Sequence, residues 1–396
     1  MCGNTIPYEA VCAGHVCLDI TPALLAPCNG DTGAFFVPGA LLDAGALSLS
    51  TGGSVSNTGL ALNKLGVSAA LMAGVGDDEV SAILRDLMQK ANGGGTFFHT
   101  KKGQSTSYSV VLAPQGCDRI FLHNPAANNE FGREDVDFSI VRQARLFHVG
   151  YPSVMRRLYA DDGAELCGIL RKVKTLGVTT SLDMAYPSAE AMAAVDWRKL
   201  LASVLPHTDM VLPSVEELMR MLAPAEFQRL READGDILKN IAFAQIEALA
   251  DELLNMGAAV AVIKCGSLGF YAKTADAAAF CEERFGKAAP KNAAAWSNRS
   301  VFSPVYCVEK IASATGAGDT SIAGFLAALL RGRPLEEAVN VACAAGAMCV
   351  TDYSATGAIP PMETLAGLID GGWEKRPCRL TPPGHTWDAA RGLWVR

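Results

Sequence analysis

The chain has 396 residues, of which 50% are hydrophobic and 19% charged, a balance that excludes wholesale disorder. Its 41 acidic and 34 basic side chains give a net charge of −7, which argues against nucleic acid or a membrane surface as the main partner. We expect neither a membrane span nor a secretory signal, because no long uncharged apolar stretch occurs. The 12 cysteines form no C-x-x-C pair or zinc spacing, so we expect free thiols in the cytoplasm.

Short apolar runs alternate with helical periodicity along most of the chain. In chain order, this pattern predicts strands at 8–20, 69–75, 146–149, 178–182, 210–212 and 259–263, and helices at 54–65, 78–90 and 162–175. Such alternation is typical of an α/β fold with a mostly parallel sheet that is covered by helices on both faces. Ligands of these sheets bind beyond the carboxyl ends of the strands, which predicts where a site lies.

Two stretches interrupt the alternation and could be either strands of a small lid or surface excursions. Residues 21–50 are rich in Pro, Gly and Leu and have no helical period. Residues 104–124 alternate polar and apolar side chains, which predicts a hairpin with strands at 107–113 and 119–122 around a turn at 114–116. The pattern alone does not decide between a lid and two loops.

The strongest motif is Thr315-Gly316-Ala317-Gly318-Asp319, which precedes a clear helical pattern. Small residues let the backbone approach a ligand, and the first amides of a helix have no partner within it. This combination predicts an anion hole for phosphate. Asp319 could cap the helix or act as a general base beside the bound phosphate, and the motif alone leaves both interpretations open.

Three weaker motifs precede it in the chain. A glycine pair at 52–53 permits a close approach before a helix, and Asn57 lies one turn inside that helix, where the motif alone favours an ordinary exposed Asn over a functional one. A predicted strand ends near Asp19, which could bind substrate hydroxyls or form a turn. The segment 264–269 is a glycine-containing turn after a strand. The sequence contains neither a P-loop nor a G-x-S-x-G nucleophile motif.

The order and spacing of these motifs resemble the ribokinase-like carbohydrate kinases of the phosphofructokinase B (PfkB) family. The family's G-x-x-x-x-D, G-G-x-x-x-N, N-x-x-E, K-x-G-x-x-G and D-[ST]-x-G-A-G-D motifs correspond to 14–19, 52–57, 214–217, 264–269 and 313–319. The resemblance implies a three-layer αβα kinase domain over 8–372, with lid strands within 21–50 and 104–124. A C-terminal tail at 373–396 follows, which we expect to pack as an irregular strap.

The resemblance also implies an ATP-dependent sugar kinase and a role for each motif residue. Asp319 would take the proton from the attacking sugar hydroxyl. The amides that would form the anion hole are those of Gly316, Ala317 and Gly318. The residues that would bind substrate hydroxyls are Asp19, Gly53 and Asn57. Glu217 would orient Mg²⁺ and its waters. The residues that would line the nucleotide side are Lys264, Gly266, Ser267, Gly269, Thr315 and Cys343.

Two departures from the family pattern qualify these implications. Ser313-Ala314 stands where the family has Asp-Ser/Thr, so an activating K⁺ site is in doubt. Ser214 replaces the Asn of the N-x-x-E motif, although Glu217 is retained.

A homodimer formed through the lid is a further implication, and His123 could contact substrate or pack within the lid. The alternatives are a nucleoside or vitamin-precursor kinase on the same fold, and a non-catalytic sugar or nucleotide sensor.

Overall fold

The structure is a computed structural model that describes residues 8–25, 38–39, 41–92, 95–113 and 120–396. Its strands, in chain order, are β1 (Ala10–Gly14), β2 (Cys17–Leu24), β3 (Ala44–Gly52), β4 (Ala69–Val75), β5 (Thr96–Thr100), β6 (Tyr108–Leu112), β7 (Ile120–Asn124), β8 (Leu146–Gly150), β9 (Thr179–Asp183), β10 (Met210–Val211), β11 (Val260–Lys264), β12 (Phe270–Thr274), β13 (Ser300–Ser303), β14 (Thr386–Asp388) and β15 (Leu393–Val395).

The α-helices, in chain order, are α1 (Ser54–Lys64), α2 (Glu79–Asn92), α3 (Phe138–Val141), α4 (Arg156–Tyr159), α5 (Ala164–Lys174), α6 (Ala189–Ala194), α7 (Trp197–Val204), α8 (Val215–Leu222), α9 (Pro224–Asp234), α10 (Phe243–Asn255), α11 (Glu282–Phe285), α12 (Ala317–Leu330), α13 (Leu335–Cys349) and α14 (Met362–Asp370). Within the described ranges, no helix combines the length and the apolar character that a membrane span requires.

Eleven strands form the central sheet in the order β14-β15-β13-β12-β11-β10-β9-β8-β1-β4-β5. The strands from β11 to β5 in that order run parallel. The four strands at the other end, from β12 to β14, are paired antiparallel. The prediction of a mostly parallel α/β sheet is therefore confirmed.

Alternate side chains of β1 enter two separate cores, one on each face of the sheet. Ala10 and Cys12 are buried with apolar residues of α1, α12 and α13. Val11 and Ala13 are buried with apolar residues of α5, α7 and α10 on the opposite face. Because side chains alternate along a strand, this division places helices on both faces and produces the expected αβα layers.

A second sheet, in the order β3-β2-β6-β7, stands apart from the central sheet and is called the lid here. Its strands occupy much of the two stretches that interrupt the alternation, although 26–37, 40 and the predicted turn at 114–116 lie outside the described residues. The single strand predicted at 8–20 is wrong, since it is two strands, β1 in the central sheet and β2 in the lid. Both strands begin with buried residues, so the apolar pattern runs on across the break.

The C-terminal tail is not the irregular strap that its prolines predict. Its residues form β14 and β15, and β15 pairs with β13 through Val301↔Val395 and Phe302↔Trp394. The prolines precede these strands in sequence, so they do not interrupt the hydrogen-bonded ladder. The central sheet therefore continues beyond residue 372, and Leu393 is completely buried in it.

The burial of Leu393 leads to a stability prediction for the tail. We expect Leu393→Ala to lower the free energy of unfolding by about 2–5 kcal/mol, because it removes a fully buried side chain. The control is Leu368→Ala, which alters a side chain that is 41% exposed and should cost less than about 1 kcal/mol. Urea denaturation of both variants measures the difference. Equal losses would contradict the incorporation of the tail into the sheet.

Candidate active site

The small-residue motif lies at the start of α12, beyond the carboxyl ends of the parallel strands. Gly316 precedes the helix in the left-handed conformation, with φ of 77°. A Cβ atom on Gly316 would lie 2.5 Å from the Cβ of Ala355, so only glycine fits there. The Ala317 amide donates to the carbonyl of Ala314 at 3.3 Å, whereas the next amides, of Gly318 and Asp319, have no partner within the helix. This end of α12 is thus suited to an anion.

Asp319 is buried, and neighbouring side chains hold its carboxylate. Asn57 Nδ2 donates to Oδ2 at 2.9 Å, and Thr58 Oγ1 donates to Oδ1 at 3.4 Å. The hydroxyl of Tyr151 lies 2.8 Å from both carboxylate oxygens. Burial raises the pKa of Asp319, while nearby Lys264 and these donors lower it, and the net shift is upward. The carboxylate is therefore oriented, so that helix capping alone does not account for its surroundings.

Tyr151 and Thr58 were missed by the sequence analysis. Tyr151 directly follows β8, whose carboxyl end is where ligands of α/β sheets bind, and that position was the available signal. Thr58 follows Asn57 in the same helix, and nothing in its sequence context distinguishes it from a buried packing residue.

A single ammonium group, that of Lys264, interacts with three carboxylates, of which those of Asp183 and Asp319 are buried and that of Glu217 is partly buried. Lys264 Nζ donates to Asp183 Oδ1 at 2.6 Å, and a Cβ on Gly318 would lie 3.6 Å from the same nitrogen. Burial lowers the pKa of Lys264, but the negative charges of Asp183, Glu217 and Asp319 together raise it by more, so the net shift is upward. Burial also raises the pKa of Asp183 far above its usual range, and its Oδ2 atom is buried without a hydrogen-bond partner. When ionised, these carboxylates exceed the ammonium by two charges.

Glu217 has a structural role as well as a place in this charge cluster. Its carboxylate accepts a hydrogen bond from the Ser214 amide at 2.6 Å, and the Ser214 hydroxyl accepts one from the Glu217 amide at 3.2 Å. This reciprocal pair is the capping box that begins α8. The Ser that replaces the family's Asn therefore caps a helix.

Among the described residues, no group of three or more His, Cys, Asp and Glu side chains could hold a metal ion by itself.

A cleft between the lid and α1 has a volume of ≈ 100 Å³, which is smaller than the range of about 300–1,000 Å³ that small-molecule sites usually occupy. Asp19, Asn57 and Thr315 line it, so three of the predicted residues share one cavity. Its other lining residues are Thr21, Ser50, Thr51, Leu60, Val111, Phe121, Tyr353, Ser354, Ala355 and Thr356. Gly53 has φ of 87°, and a Cβ there would lie 2.6 Å from the His15 carbonyl oxygen. Glycine thus allows the loop before α1 to approach β1.

A pair of histidines connects the lid to the central sheet. His15 Nε2 lies 3.3 Å from His123 Nε2, and Ser109 Oγ lies 3.0 Å from His123 Nδ1. Burial lowers the pKa of His15 to about 3 and also lowers that of His123, so both rings are neutral at physiological pH. In this structure His123 packs between the lid and the sheet.

The residues expected on the nucleotide side are spread over a wider area. Gly266 and Ser267 form a 3₁₀ turn that ends at Gly269 and exposes the Ser267 side chain. The Thr315 amide donates to the Ser313 hydroxyl at 3.1 Å. Cys343 is buried on α13, with its thiol 3.8 Å from the carbonyl of Ser303.

The sequence profile of the pfkB family of carbohydrate kinases matches residues 14–362. The chain belongs to this family. It is 22% identical over 301 residues to an uncharacterized sugar kinase of Archaeoglobus fulgidus, covering 76% of this chain and 98% of that protein. It is 25% identical over 343 residues to Fructokinase-2 of Zea mays, covering 83% and 88%.

Solved structures share the fold of this kinase. Ribokinase of Arabidopsis thaliana, complexed with ribose and ATP, superimposes with a TM-score of 0.64 at 19% identity, covering 91% of this chain and 98% of that one. A putative ribokinase II from E. coli, in complex with ATP and Mg²⁺, gives 0.63 at 19% identity, covering 91% and 99%. Family membership confirms the resemblance and the expectation of a sugar kinase that uses ATP.

The shared ammonium leads to a prediction about stability and pH. Lys264→Met should lower the free energy of unfolding by about 3–5 kcal/mol at pH 8, because it leaves buried carboxylates without their cation. Without Lys264 the folded-state pKa values of Asp183, Glu217 and Asp319 rise further above their unfolded values. The folded state then binds more protons, so stability should fall more steeply as pH rises from 5 to 8.

The control for this prediction is the double variant Lys264→Met/Asp183→Asn, which removes one positive and one negative charge together. We expect it to recover part of the lost stability at pH 8. Chemical denaturation at several pH values measures all three proteins. A Lys264→Met variant whose stability varies with pH as in the wild type would contradict the charge balance described here.

Proposed function

We propose that this kinase transfers the terminal phosphoryl group of ATP to a hydroxyl of a sugar or sugar derivative, with Asp319 as general base. The observation that supports this role is a buried, oriented carboxylate beside the first amides of α12. The acceptor oxygen forms a bond to phosphorus, the bond from phosphorus to the ADP oxygen breaks, and the hydroxyl proton passes to Asp319. Such transfers depend on alignment and on stabilisation of charge.

The anion hole for the transferred group is assigned to Gly316, Ala317 and Gly318. Their amides lie at the positive end of the α12 dipole, and the Lys264 ammonium is close to Gly318. The Ala317 amide, which donates to Ala314, contributes least in the present geometry. Fixed donors of this kind stabilise developing negative charge without reorganising.

The acceptor sugar is assigned to the cleft under the lid. Asp19 on β2 and Asn57 on α1 face it together with the hydroxyls of Thr21 and Ser50, a set that can bind several sugar hydroxyls. Asn57 uses its amide nitrogen on Asp319, so that its oxygen is the atom offered to a sugar. Gly53 permits the close approach of the loop that carries α1.

Magnesium is proposed to enter with ATP. Mg²⁺ keeps several waters and binds through one or two carboxylates and the phosphates, so a complete protein cage is not needed. The unpartnered Oδ2 of Asp183 and the excess of buried carboxylates suit a divalent cation, and Glu217 is the residue that would orient it and its waters. When bound, the ion would neutralise charge on the phosphates.

The nucleotide is assigned to the other side of α12. The candidates are Lys264, Gly266, Ser267, Gly269, Thr315 and Cys343, of which Thr315 also lines the acceptor cleft and would border both ligands. Of these, Lys264 is placed for the phosphates rather than the base, because its ammonium lies beside Gly318. The exposed turn before Gly269 and the buried thiol of Cys343 would border the nucleoside.

A nucleoside kinase is the second candidate function. Phe121 and Tyr353 line the acceptor cleft, and aromatic rings there could stack on a nucleobase. A sugar in the same place would contact these rings through its C–H faces. A panel of pentoses, hexoses, keto-deoxy acids and nucleosides distinguishes these acceptors.

The assignment of the base leads to a kinetic prediction. Asp319→Asn should reduce turnover by roughly 10²–10⁴-fold, because proton transfer loses its acceptor while the shape of the side chain is kept. ADP release with Mg²⁺-ATP and the acceptor panel is the measurement. The control is Asp86→Asn, a surface carboxylate paired with Lys90, which should leave the rate unchanged.

Three outcomes of this assay would contradict parts of the proposal. Full turnover by Asp319→Asn would exclude it as the base. Turnover on nucleosides alone would select the second candidate. Absence of turnover by the wild type, with ATP still raising the melting temperature, would favour the sensor interpretation.

We further propose that the lid forms a homodimer. Along β3 the side chains alternate, so that Ser50 faces the cleft while Leu47 and Leu49 face outward and are 59% and 36% exposed. Leu122 on β7, paired with Val110, belongs to the same outer face and is 52% exposed. A polar inner face and an apolar outer face favour a second copy of the lid as the cover.

The outer face of the lid gives a prediction about assembly. We expect the wild type to sediment as a dimer at micromolar concentration and Leu47→Glu to sediment as a monomer, because a buried charge disrupts an apolar contact. Leu368→Glu, on α14, is the control and should stay dimeric. A monomeric wild type would refute the proposed dimer.

We also propose a cytoplasmic setting. The nine cysteines in the described part of the chain are free thiols, and several of them are buried in the cores. A reducing compartment maintains that state.

A further inference from the structure

Tyr151 occupies an unusual backbone position at the carboxyl end of β8. Its φ of 65° and ψ of 36° lie in the left-handed region, which bulky residues rarely adopt. Such conformations cluster at functional sites, where the surroundings enforce them. Here the Tyr151 amide donates to the carbonyl of Asp183 at 3.2 Å, and the phenol hydroxyl reaches Asp319. The chain therefore adopts a rare conformation at the residue that contacts the proposed base.

The phenol hydroxyl makes a direct and specific contact. It lies 2.8 Å from Oδ1 and 2.8 Å from Oδ2, so its proton is directed at the carboxylate whichever oxygen accepts it. Asn57 and Thr58, both on α1, donate to one oxygen each. A carboxylate offers about four acceptor positions, which leaves room for the proton of an acceptor hydroxyl.

We propose that Tyr151 is a positioning residue for phosphoryl transfer, whose hydroxyl fixes the carboxylate of Asp319 in the orientation that receives the proton of the sugar hydroxyl. This inference rests on the proposed role of Asp319 as the base. Tyr151 keeps its own proton throughout, because burial and the neighbouring carboxylates raise its pKa well above the usual value. It therefore acts as a permanent donor and exchanges no proton with the substrate.

The same hydroxyl favours the ionised form of Asp319. Burial acts against ionisation, and the donors on the carboxylate together with Lys264 act for it. The other titratable groups that interact with Asp319 from the surrounding elements are Cys12 on β1, Asp183 on β9, Glu217 on α8 and Cys349 on α13. Loss of the Tyr151 donor should therefore raise the pKa at which the base is protonated.

Tyr151 also adjoins the contact between the lid and the sheet. Its ring lies 5.9 Å from that of His15, whose ring in turn lies 5.1 Å from that of His123 on β7. A continuous line of side chains thus runs from the base to the lid. Because only the hydroxyl contacts Asp319, removing the hydroxyl alone separates the role at the base from the packing of the ring.

The test compares Tyr151→Phe with Tyr159→Phe, a nearby tyrosine on α4 whose ring faces Trp197. We expect Tyr151→Phe to lower kcat by roughly 10–100-fold, as expected for loss of a hydrogen bond to a charged group, with the KM for ATP unchanged. The acid limb of the rate–pH profile should move upward by about one pH unit. Tyr159→Phe should change neither quantity. A profile that stays in place would overturn the inference.

A double-mutant cycle separates action through Asp319 from a general effect on the fold. In an Asp319→Asn background, Tyr151→Phe should cause little further loss of rate, because the group it positions is gone. Independent losses that multiply would contradict a positioning role. If Asp319→Asn alone retains full turnover, the proposed function fails instead, so that the two failures are distinguishable.

A measurement without turnover decides the same question. In protein labelled with ¹³C at the Asp carboxyls, the Asp319 signal is the one absent from Asp319→Asn. We expect its titration midpoint to be higher in Tyr151→Phe than in the wild type and in Tyr159→Phe. Coinciding midpoints would overturn the inference even if no acceptor in the panel is turned over.

Discussion

The candidate site depends on one constraint, the balance of the single Lys264 charge against three carboxylates at the carboxyl edge of the sheet, two of which are buried. Low polarity makes each unpaired charge costly, so the cluster needs either protons or a further cation. Asp183 pairs directly with the ammonium, and Asp319 is held by neutral donors. The arrangement keeps negative charge where a Mg²⁺ ion bound with a nucleotide would bring positive charge, and it places the first amides of α12 nearby, where they could face the phosphates.

The lid borders the candidate site, and its two faces differ in polarity. Its inner face presents Asp19 and hydroxyl side chains to the cleft, while its outer face exposes leucines. The neutral His15–His123 pair ties it to the central sheet without burying a charge. The same four strands thus carry both the polar lining of the cleft and an exposed apolar face.

A feature could be predicted from the sequence when it depends on residues that are close together in the chain, and it was missed when it depends on residues that are far apart. The helix start at Gly316, Asn57 and Asp319 could be singled out from the sequence because small residues and their spacing form a pattern within a few residues, and the structure brings Asn57 and Asp319 into contact. Tyr151 was missed because its contact with Asp319 spans 168 positions. The tail strands were missed because their partner is β13, and a strand at a sheet edge is stabilised mainly by its neighbour. Ser214 was considered only as a lost family residue, and its capping role needs the helix geometry.

By itself, the sequence determined the α/β class and the family, and it indicated the edge of the sheet at which the candidate site lies, since all three depend on periodicity and short motifs. Only the tertiary structure decided that Lys264 pairs with Asp183, that the Tyr151 hydroxyl contacts Asp319, and that residues beyond 372 extend the sheet. Each of these depends on side chains or strands that are distant along the chain. The distances between such groups, and their burial, are set by packing and are not encoded in any local pattern.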